Sequence, residues 1–270
     1  MTHDGGTGAG TGGGSDGAGP AVRYSVAGAV ATLTMDQPRN RNALTPALLD
    51  GLSGGLAAAL ADGAVRVIVL THTGPAFCAG ADLSAGRGTA APRTSLADVL
   101  AGLQDAPKPV VARIAGHCVA GGIGLAAACD ISIAADTARF GFTEVRVGVA
   151  PAIISVVCLP KLRRADALEL FLGGERISAA RAAEAGLITA AVPPQELDAE
   201  VAATAGKLLA GGPAALAAAK RLVYDVPGME RGAAFARTAE LSQELFASAE
   251  AAEGMAAFRE KRPPSWARPR

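Results

Sequence analysis

Three short apolar runs most constrain the fold of this chain, because each is followed by a segment with the composition of a turn or a helix. The runs are Val65–Thr71, Lys108–Ile114 and Ile131–Ala134, and they are rich in Val and Ile. Continuous apolar runs of this length are typical of strands buried on both faces, as in parallel sheets. Parallel strands need crossover connections, so the alternation predicts an α/β fold built on a mostly parallel sheet.

Composition divides the chain into three parts. Residues 1–20 are mostly Gly with Thr, Ser and Asp, which cannot bury apolar surface, so we predict a disordered tail there. Residues 21–190 carry the strand and helix alternation and are predicted to form the α/β core. Within them, Thr45-Pro46 is predicted to open a helix that runs to about Ala61, Gly74–Gly88 to form a loop, and Leu125–Cys129 to be helical. Residues 191–270 contain Ala-rich amphipathic segments and are predicted to form a C-terminal helical region.

Charge and cysteine content exclude several classes of protein. The 25 basic and 25 acidic residues give no net field, so neither nucleic acid nor a membrane is an expected partner. The apolar runs are too short to cross a bilayer. The four cysteines form no C-x-x-C pair and no His/Asp/Glu cluster has metal-ligand spacing, which indicates reduced thiols, no metal site and a cytoplasmic location. The cysteines are Cys78, Cys118, Cys129 and Cys158.

Two glycine-rich turns follow predicted strands, at Ala76–Leu83 and Gly116–Leu125. Glycine lets the backbone approach a ligand closely, and a helix that begins at the second turn would offer free N–H groups. Two such groups aimed at one thioester carbonyl would form an oxyanion hole. The alternative is that the turns only let helices pack against strands. Neither a dinucleotide-binding G-x-G-x-x-G after the first strand nor a phosphate-binding Walker A pattern is present.

Several motifs in order give the chain a specific resemblance. Phe77–Leu83 resembles F-x-A-G-A-D-L, and Gly116–Asp130 resembles G-x-x-x-G-G-G-x-E-L-x-x-x-C-D, with Ala120 and Gly124 as departures. Phe140–Gly148 resembles F-x-x-P-E-x-x-x-G with Thr143 in place of proline. Similar matches occur at Gly174–Ala179, Ala182–Pro193 and Glu253–Trp266. These motifs, over roughly residues 22–266, resemble those of the crotonase (enoyl-CoA hydratase/isomerase) family.

The resemblance implies a fold, an assembly and a substrate class. The fold is a crotonase-like superhelix of ββα units with a C-terminal helical region that forms a homotrimer, often paired into a hexamer. The substrate is an acyl-CoA thioester, so coenzyme A enters as part of the substrate and no tightly bound cofactor is expected. The N–H groups of Ala81 and Gly121 are expected to form the oxyanion hole. Further CoA-binding or substrate-binding positions are Arg39, Arg41, Ala79, Asp82, Leu83, Gly124, Phe258 and Lys261.

Some of these positions have a second interpretation. One interpretation is that Arg39 or Arg41 binds the CoA phosphates. The other is that both are solvated loop residues. Phe258 and Lys261 close over the adenine part of CoA, or Phe258 is only a helix-packing anchor. His72 and His117 are expected to be structural histidines, and Asp82 and Asp130 are expected to cap turns and orient the glycine loops.

The expected catalytic acid is Glu144, which matches one of the family's two glutamates. The other glutamate position is occupied by Gly124, so one carboxylate would act alone as acid and base. Gly124 either enlarges the acyl pocket or marks the loss of hydratase activity. Residues 150–155, A-P-A-I-I-S, also depart from the commoner P-G-A-G-G form. Both departures resemble the single-glutamate branch that includes methylglutaconyl-type CoA hydratases.

Three functions follow from the resemblance. The first is hydration of a 2-enoyl-CoA, possibly branched, with Glu144 moving the proton of an enolate that the oxyanion hole stabilises. The second is a Δ3,Δ2-enoyl-CoA isomerase, which needs no bound water. The third is a non-catalytic acyl-CoA binder.

Overall fold

The computed structural model describes residues 19–82 and 93–267, so the expected tail at residues 1–18 and the CoA position Leu83 lie outside it. Over the described residues the chain forms ten strands and ten α-helices. The strands are β1 (Val22–Ala27), β2 (Val30–Met35), β3 (Val67–His72), β4 (Ala76–Cys78), β5 (Val110–Ile114), β6 (His117–Val119), β7 (Ile131–Ala135), β8 (Arg139–Gly141), β9 (Ile177–Ser178) and β10 (Ala190–Val192). The helices are α1 (Pro46–Ala61), α2 (Leu96–Asp105), α3 (Gly121–Ala128), α4 (Ala152–Cys158), α5 (Arg164–Gly173), α6 (Ala179–Glu184), α7 (Leu197–Ala210), α8 (Pro213–Asp225), α9 (Arg231–Phe246) and α10 (Ala249–Arg259).

The larger sheet has six strands in the order β1-β2-β3-β5-β7-β10. Only the β1–β2 hairpin is antiparallel, and every other pair in this sheet is parallel. Ile68 and Leu70 of β3 belong to the main core, whereas Val67 and Val69 pack toward α7. Because β3 is buried on both faces, it is mostly apolar at consecutive positions and shows no regular alternation of apolar and polar residues. The predicted α/β fold with a mostly parallel sheet is confirmed.

The smaller sheet has four strands in the order β4-β6-β8-β9. Strands β4, β6 and β8 are parallel, and β9 is antiparallel to β8. The sequence pattern predicted a loop over residues 74–88 and a turn over residues 116–124, so this sheet was missed. Its strands are two or three residues long and glycine-rich at their ends, which leaves no periodicity to detect.

Local sequence signals account for most of the helix boundaries. The side chain of Thr45 accepts a hydrogen bond from the backbone N–H of Leu48 at 3.2 Å, and Pro46 opens α1, as the sequence predicted. Helix α3 begins at Gly121, four residues before the predicted start at Leu125. Helix α4 was not predicted, because its apolar residues form an unbroken run without helical spacing.

Strand β10 and helix α8 both join the C-terminal region to the core. Strand β10 extends the larger sheet beyond β7, so the expected boundary at residue 190 passes through a strand of that sheet. Lys220 of α8 forms a buried ion pair with Asp130, at 2.9 Å between Nζ and Oδ2. Asp130 also accepts a hydrogen bond from Val110 N at 2.7 Å. The expectation that Asp130 orients a glycine loop is therefore wrong: it ties α8 to the start of β5.

Candidate active site

The candidate site lies where β4, β6 and β8 end. These three strands are parallel neighbours, so their carboxyl ends meet at one edge of the smaller sheet. The Ala79–Asp82 turn follows β4, helix α3 follows β6 after Ala120, and Glu144 follows β8. Ligands of parallel sheets commonly bind beyond the carboxyl ends of the strands. The sheet therefore brings the two glycine-rich turns and the candidate acid to the same edge.

The first turn is held by the preceding loop. Ala79 N donates to Arg41 O at 3.1 Å, and Leu44 N donates to Gly80 O at 2.8 Å. The loop is itself fixed by Asn42, which is fully buried and has a φ of 52°. Its amide Nδ2 donates to Thr73 O at 3.0 Å and to Ala76 O at 2.9 Å. Asn tolerates this left-handed conformation better than most residues, and here it fixes the loop on both sides of β4.

The second turn places Gly121 at the start of α3. The preceding Ala120 has φ 50° and ψ −127°, and its N–H donates to Gly141 O at 3.0 Å. The turns are in contact, because a Cβ built on Gly80 would lie 2.6 Å from Ala120 Cβ and 3.4 Å from Gly121 N. Within residues 19–82 and 93–267, neither Ala81 N nor Gly121 N donates to a backbone carbonyl. Both N–H groups are thus available to an acceptor outside the described chain.

Glu144 lies in a 3-10 turn, Thr143–Val147, directly after β8. Its side chain is half-buried, and its Oε2 atom is buried with no hydrogen-bond partner among the residues the structure describes. Burial raises the pKa of the Glu144 carboxyl above its ordinary value. A carboxyl with one buried, unpartnered oxygen and a raised pKa is suited to exchanging a proton with a bound molecule.

Gly124 lies one helical turn after Gly121 on the same side of α3. A Cβ at this position would lie 2.4 Å from Cγ2 of Ile154 and 3.5 Å from Cδ1 of Leu100. Ile154 of α4 is 2% exposed and fills the space. The interpretation that Gly124 enlarges an acyl pocket is therefore wrong, because the missing side chain is replaced by one from α4.

The other expected positions are spread more widely. Arg39 and Arg41 are exposed on the loop before Leu44, and Asp82 is half-buried after the first turn. Phe258 is 86% exposed near the end of α10, and Lys261, just beyond that helix, is also exposed with a φ of 53°. Helix α10 packs on α9. The structure thus brings Ala79, Ala81, Gly121 and Gly124 together and leaves the two C-terminal residues open to another molecule.

Sequence reasoning missed two residues that shape this site, Asn42 and Ile154. Asn42 had a detectable signal, because an Asn in a turn-forming N-A context often adopts a positive φ. Ile154 was noticed only as a departure in the A-P-A-I-I-S segment, and its contact with Gly124 spans 30 residues of sequence.

His72 is a structural histidine, as the sequence analysis expected. Its Nε2 accepts from Ala115 N at 3.1 Å, and its Nδ1 lies 3.2 Å from Thr73 O. Burial lowers the pKa of His72, so the neutral imidazole is favoured.

A cavity of about 670 Å³ lies at the other end of the larger sheet, near the amino ends of β3 and β5. The charged side chains that line this cavity donate hydrogen bonds to backbone carbonyl groups of the same chain. Arg66 donates to Leu209 O and Trp266 O, and Lys108 donates to Ala59 O and Asp62 O. Arg66 therefore holds the C-terminal segment against the sheet, and Lys108 binds the carboxyl end of α1.

Residues 19–82 and 93–267 hold no group of three or more His, Cys, Asp or Glu side chains arranged for a metal ion. Over the same ranges, no single helix is long and apolar enough to cross a membrane. One bent pair, Pro194–Ala210 with Pro213–Gly228 at 108°, passes by length and composition.

Comparison with known proteins places this arrangement in a family. The model of the enoyl-CoA hydratase/isomerase family matches residues 25–269. The 2,3-dehydroadipyl-CoA hydratase of Escherichia coli is 35% identical over 242 residues, which cover 88% of this chain and 94% of that protein. An enoyl-CoA hydratase structure from Mycobacterium smegmatis has a TM-score of 0.85 and 33% identity, covering 92% of this chain and 99% of the other. One from Bacillus anthracis has a TM-score of 0.84 and 30% identity, covering 90% and 98%. The chain belongs to the enoyl-CoA hydratase/isomerase family.

Proposed function

We propose that this chain hydrates 2-enoyl-CoA thioesters, with Glu144 as its acid and base. The proposal rests on the Glu144 Oε2 atom, which is buried and lacks a partner among the described residues. Glu144 also follows β8, the strand whose Gly141 O accepts a hydrogen bond from Ala120 N. A proton-transferring group and two free N–H groups thus share one edge of the smaller sheet.

The proposed reaction uses these groups in two proton transfers. The thioester oxygen accepts hydrogen bonds from Ala81 N and Gly121 N, which stabilise the negative charge that develops as water attacks. The water oxygen forms a bond to Cβ of the acyl chain, and its proton passes to the Glu144 carboxylate. Glu144 then returns that proton to Cα as the enolate collapses, so the product is the 3-hydroxyacyl thioester.

The remaining expected residues are proposed to hold coenzyme A. Ala79 and Asp82 follow β4 and would run along the pantetheine, with Arg39 or Arg41 near the CoA phosphates. The exposure of Phe258 and Lys261 suits contact with the CoA bound to a neighbouring subunit. No tightly bound cofactor is needed for this chemistry.

A homotrimer or hexamer is part of the proposal. An apolar face is exposed beside Glu144, where the 3-10 turn packs on α5 and leads into α4. Val147, Val156 and Leu172 on this face are 58%, 71% and 73% exposed. Exposed apolar patches commonly mark protein interfaces.

The second candidate is a Δ3,Δ2-enoyl-CoA isomerase. The side chains nearest Gly121 and Gly124 are hydrocarbon, from Leu44, Leu96, Leu100 and Ile154. A site with one carboxylate and apolar walls suits the transfer of a proton along a carbon chain as well as the activation of water.

A panel of straight, branched and carboxylated 2-enoyl-CoA and 3-enoyl-CoA thioesters separates these possibilities. We expect a 2-enoyl thioester to gain the mass of one water, with the label of isotopically enriched water at Cβ. A double bond that moves without a mass change would establish the isomerase. A thioester that is bound and returned unchanged would identify a non-catalytic binder and overturn the proposal.

A further inference from the structure

Gly124 and Ile154 form a complementary pair across the interface between α3 and α4. Gly124 is fully buried and contributes no side chain, and the nearest heavy atoms to its missing Cβ belong to Ile154. Ile154 Cγ2 would lie 2.4 Å and Ile154 Cβ 3.0 Å from that Cβ. Both distances are shorter than normal carbon contacts, so α4 in its present position excludes any side chain at position 124.

The Gly124–Ile154 pair lies next to the groups that are proposed to act on the substrate. Gly124 follows the proposed donor Gly121 by three residues, so both face the same side of α3. Glu144 lies on the segment that connects β8 to α4, the helix that carries Ile154. Position 124 and Glu144 therefore flank the same edge of the smaller sheet, with Ile154 occupying the space that a second carboxylate would need.

We propose that Ile154 is the specificity-determining residue that keeps this site at one carboxylate. The inference rests on the proposed function. Ile154 presents hydrocarbon where a second acid would hold and orient water, so Glu144 alone positions the attacking water.

The first experiment is a double-mutant cycle of Gly124→Glu and Ile154→Gly. Gly124→Glu alone is expected to lower the melting temperature, because the Cβ of the new side chain would clash with Ile154. Its rate of crotonyl-CoA hydration is expected to be at or below that of the wild type. The double variant removes both close atoms. We expect its kcat/KM for crotonyl-CoA to exceed that of Gly124→Glu by at least tenfold.

Val157→Gly is the matched control. Val157 is buried on the same helix, and a glycine there carries the same helix-propensity penalty, but its atoms are not the nearest to position 124. Gly124→Glu combined with Val157→Gly is expected to recover neither rate nor melting temperature. Recovery equal to that with Ile154→Gly would overturn the proposal, because a general loosening of α4 would then explain both results.

A milder pair keeps the proposal testable if the double variant does not fold. Alanine normally stabilises a helix relative to glycine, yet Gly124→Ala is expected to lower the melting temperature because of Ile154 Cγ2. In the Ile154→Ala background the same change is expected to lower the melting temperature less, because the 2.4 Å contact with Cγ2 is gone and only the 3.0 Å contact with Cβ remains. Equal effects of Gly124→Ala in the two backgrounds would contradict the packing on which the inference depends.

The two readouts separate this inference from the proposed function. A wild type that hydrates no thioester refutes the proposed function, whereas the melting temperatures still test the contact between Ile154 and position 124. An inactive wild type whose Gly124→Glu/Ile154→Gly variant gains hydration would support the role of Ile154. A double variant that is folded and no faster than Gly124→Glu would overturn that role.

Discussion

Ala120 has the least usual backbone of the candidate site. Its φ of 50° and ψ of −127° lie in a region that side chains with a Cβ rarely adopt. Ala120 N donates to Gly141 O, and Ala120 O accepts from Ile123 N at 2.8 Å, so both ends of the residue are held in place. The strain is therefore maintained by the sheet and by the first turn of α3, and it lies directly before the proposed donor Gly121.

Replacing Ala120 with glycine is expected to raise the free energy of unfolding by about 1 kcal/mol, because glycine adopts this conformation without steric cost. Urea denaturation of the two proteins measures the difference. The Ala120 methyl also contacts the Gly80 turn, so a fall in stability would mean that this packing outweighs the strain.

The raised pKa of Glu144 has a consequence for the pH dependence of activity. Burial disfavours the carboxylate, so the base form is lost at a higher pH than for an exposed glutamate, whose pKa is about 4.3. As pH falls, kcat/KM should decrease along a single acidic limb with its midpoint above that value. A profile that stays flat below about pH 4.3 in the folded enzyme would contradict the assignment.

The candidate site residues that could be predicted from the sequence are those that belong to a recognisable motif. Glu144, Ala81 and Gly121 were located by matching positions, and their chemical roles stay predictions. The packing of Ile154 against Gly124 was not predictable, because nothing in a single sequence states which residue of one helix faces which residue of another.

At the scale of secondary-structure elements, long helices and strands were predicted from the sequence, and strands of two or three residues were not. Helix α1 was predicted by its Thr-Pro start, and β3 by the apolar run Val65–Thr71. The smaller sheet, which carries the candidate site, was missed because three-residue strands between glycines resemble loops.

The ion pair between α8 and the core gives a prediction for the C-terminal helices. The side chains of Lys220 and Asp130 are 6% and 17% exposed, and Lys220 Nζ also donates to Leu103 O at 2.9 Å. Burial raises the pKa of Asp130 even though Lys220 lowers it, so the carboxylate depends on its partner. Lys220→Met should lower the free energy of unfolding by about 3–5 kcal/mol, because it leaves a buried charge without compensation.

Arg221→Met is the matched control on the neighbouring residue. Arg221 pairs with Asp105 at 2.9 Å, but its side chain is 45% exposed. Such exposed pairs contribute about 0–1 kcal/mol. Thermal or urea unfolding that gave equal losses for the two variants would contradict the role assigned to the buried pair.

At the scale of the whole molecule, β3 of the larger sheet is buried on both faces, whereas apolar side chains beside Glu144 are exposed. Val156 and Leu172 are exposed on α4 and α5, in the neighbourhood of the candidate site. The family resemblance predicted an oligomer from sequence, but only the structure identifies this apolar face. Self-association through it would also bring the site close to a neighbouring subunit.

A charge on this face is expected to dissociate the assembly. Val156→Glu and Leu172→Glu would each place a carboxylate in an apolar interface, which is unfavourable without a partner. Sedimentation velocity should show a trimer or hexamer for the wild type and a smaller species for both variants. Val26→Glu on the edge strand β1 serves as control, since Val26 is also exposed, at 42%. Unchanged sedimentation of both variants would exclude this face as the interface.

The central claim is that one carboxylate, Glu144, moves the proton. Glu144→Gln preserves the size of the side chain but cannot transfer a proton, so the most direct measurement is the rate of this variant on the best 2-enoyl-CoA substrate. We expect kcat to fall by about 10²–10⁴-fold with little change in thioester affinity, because the N–H donors of Ala81 and Gly121 do not depend on the carboxylate. A folded Glu144→Gln enzyme that hydrates its substrate at the wild-type rate would contradict the account.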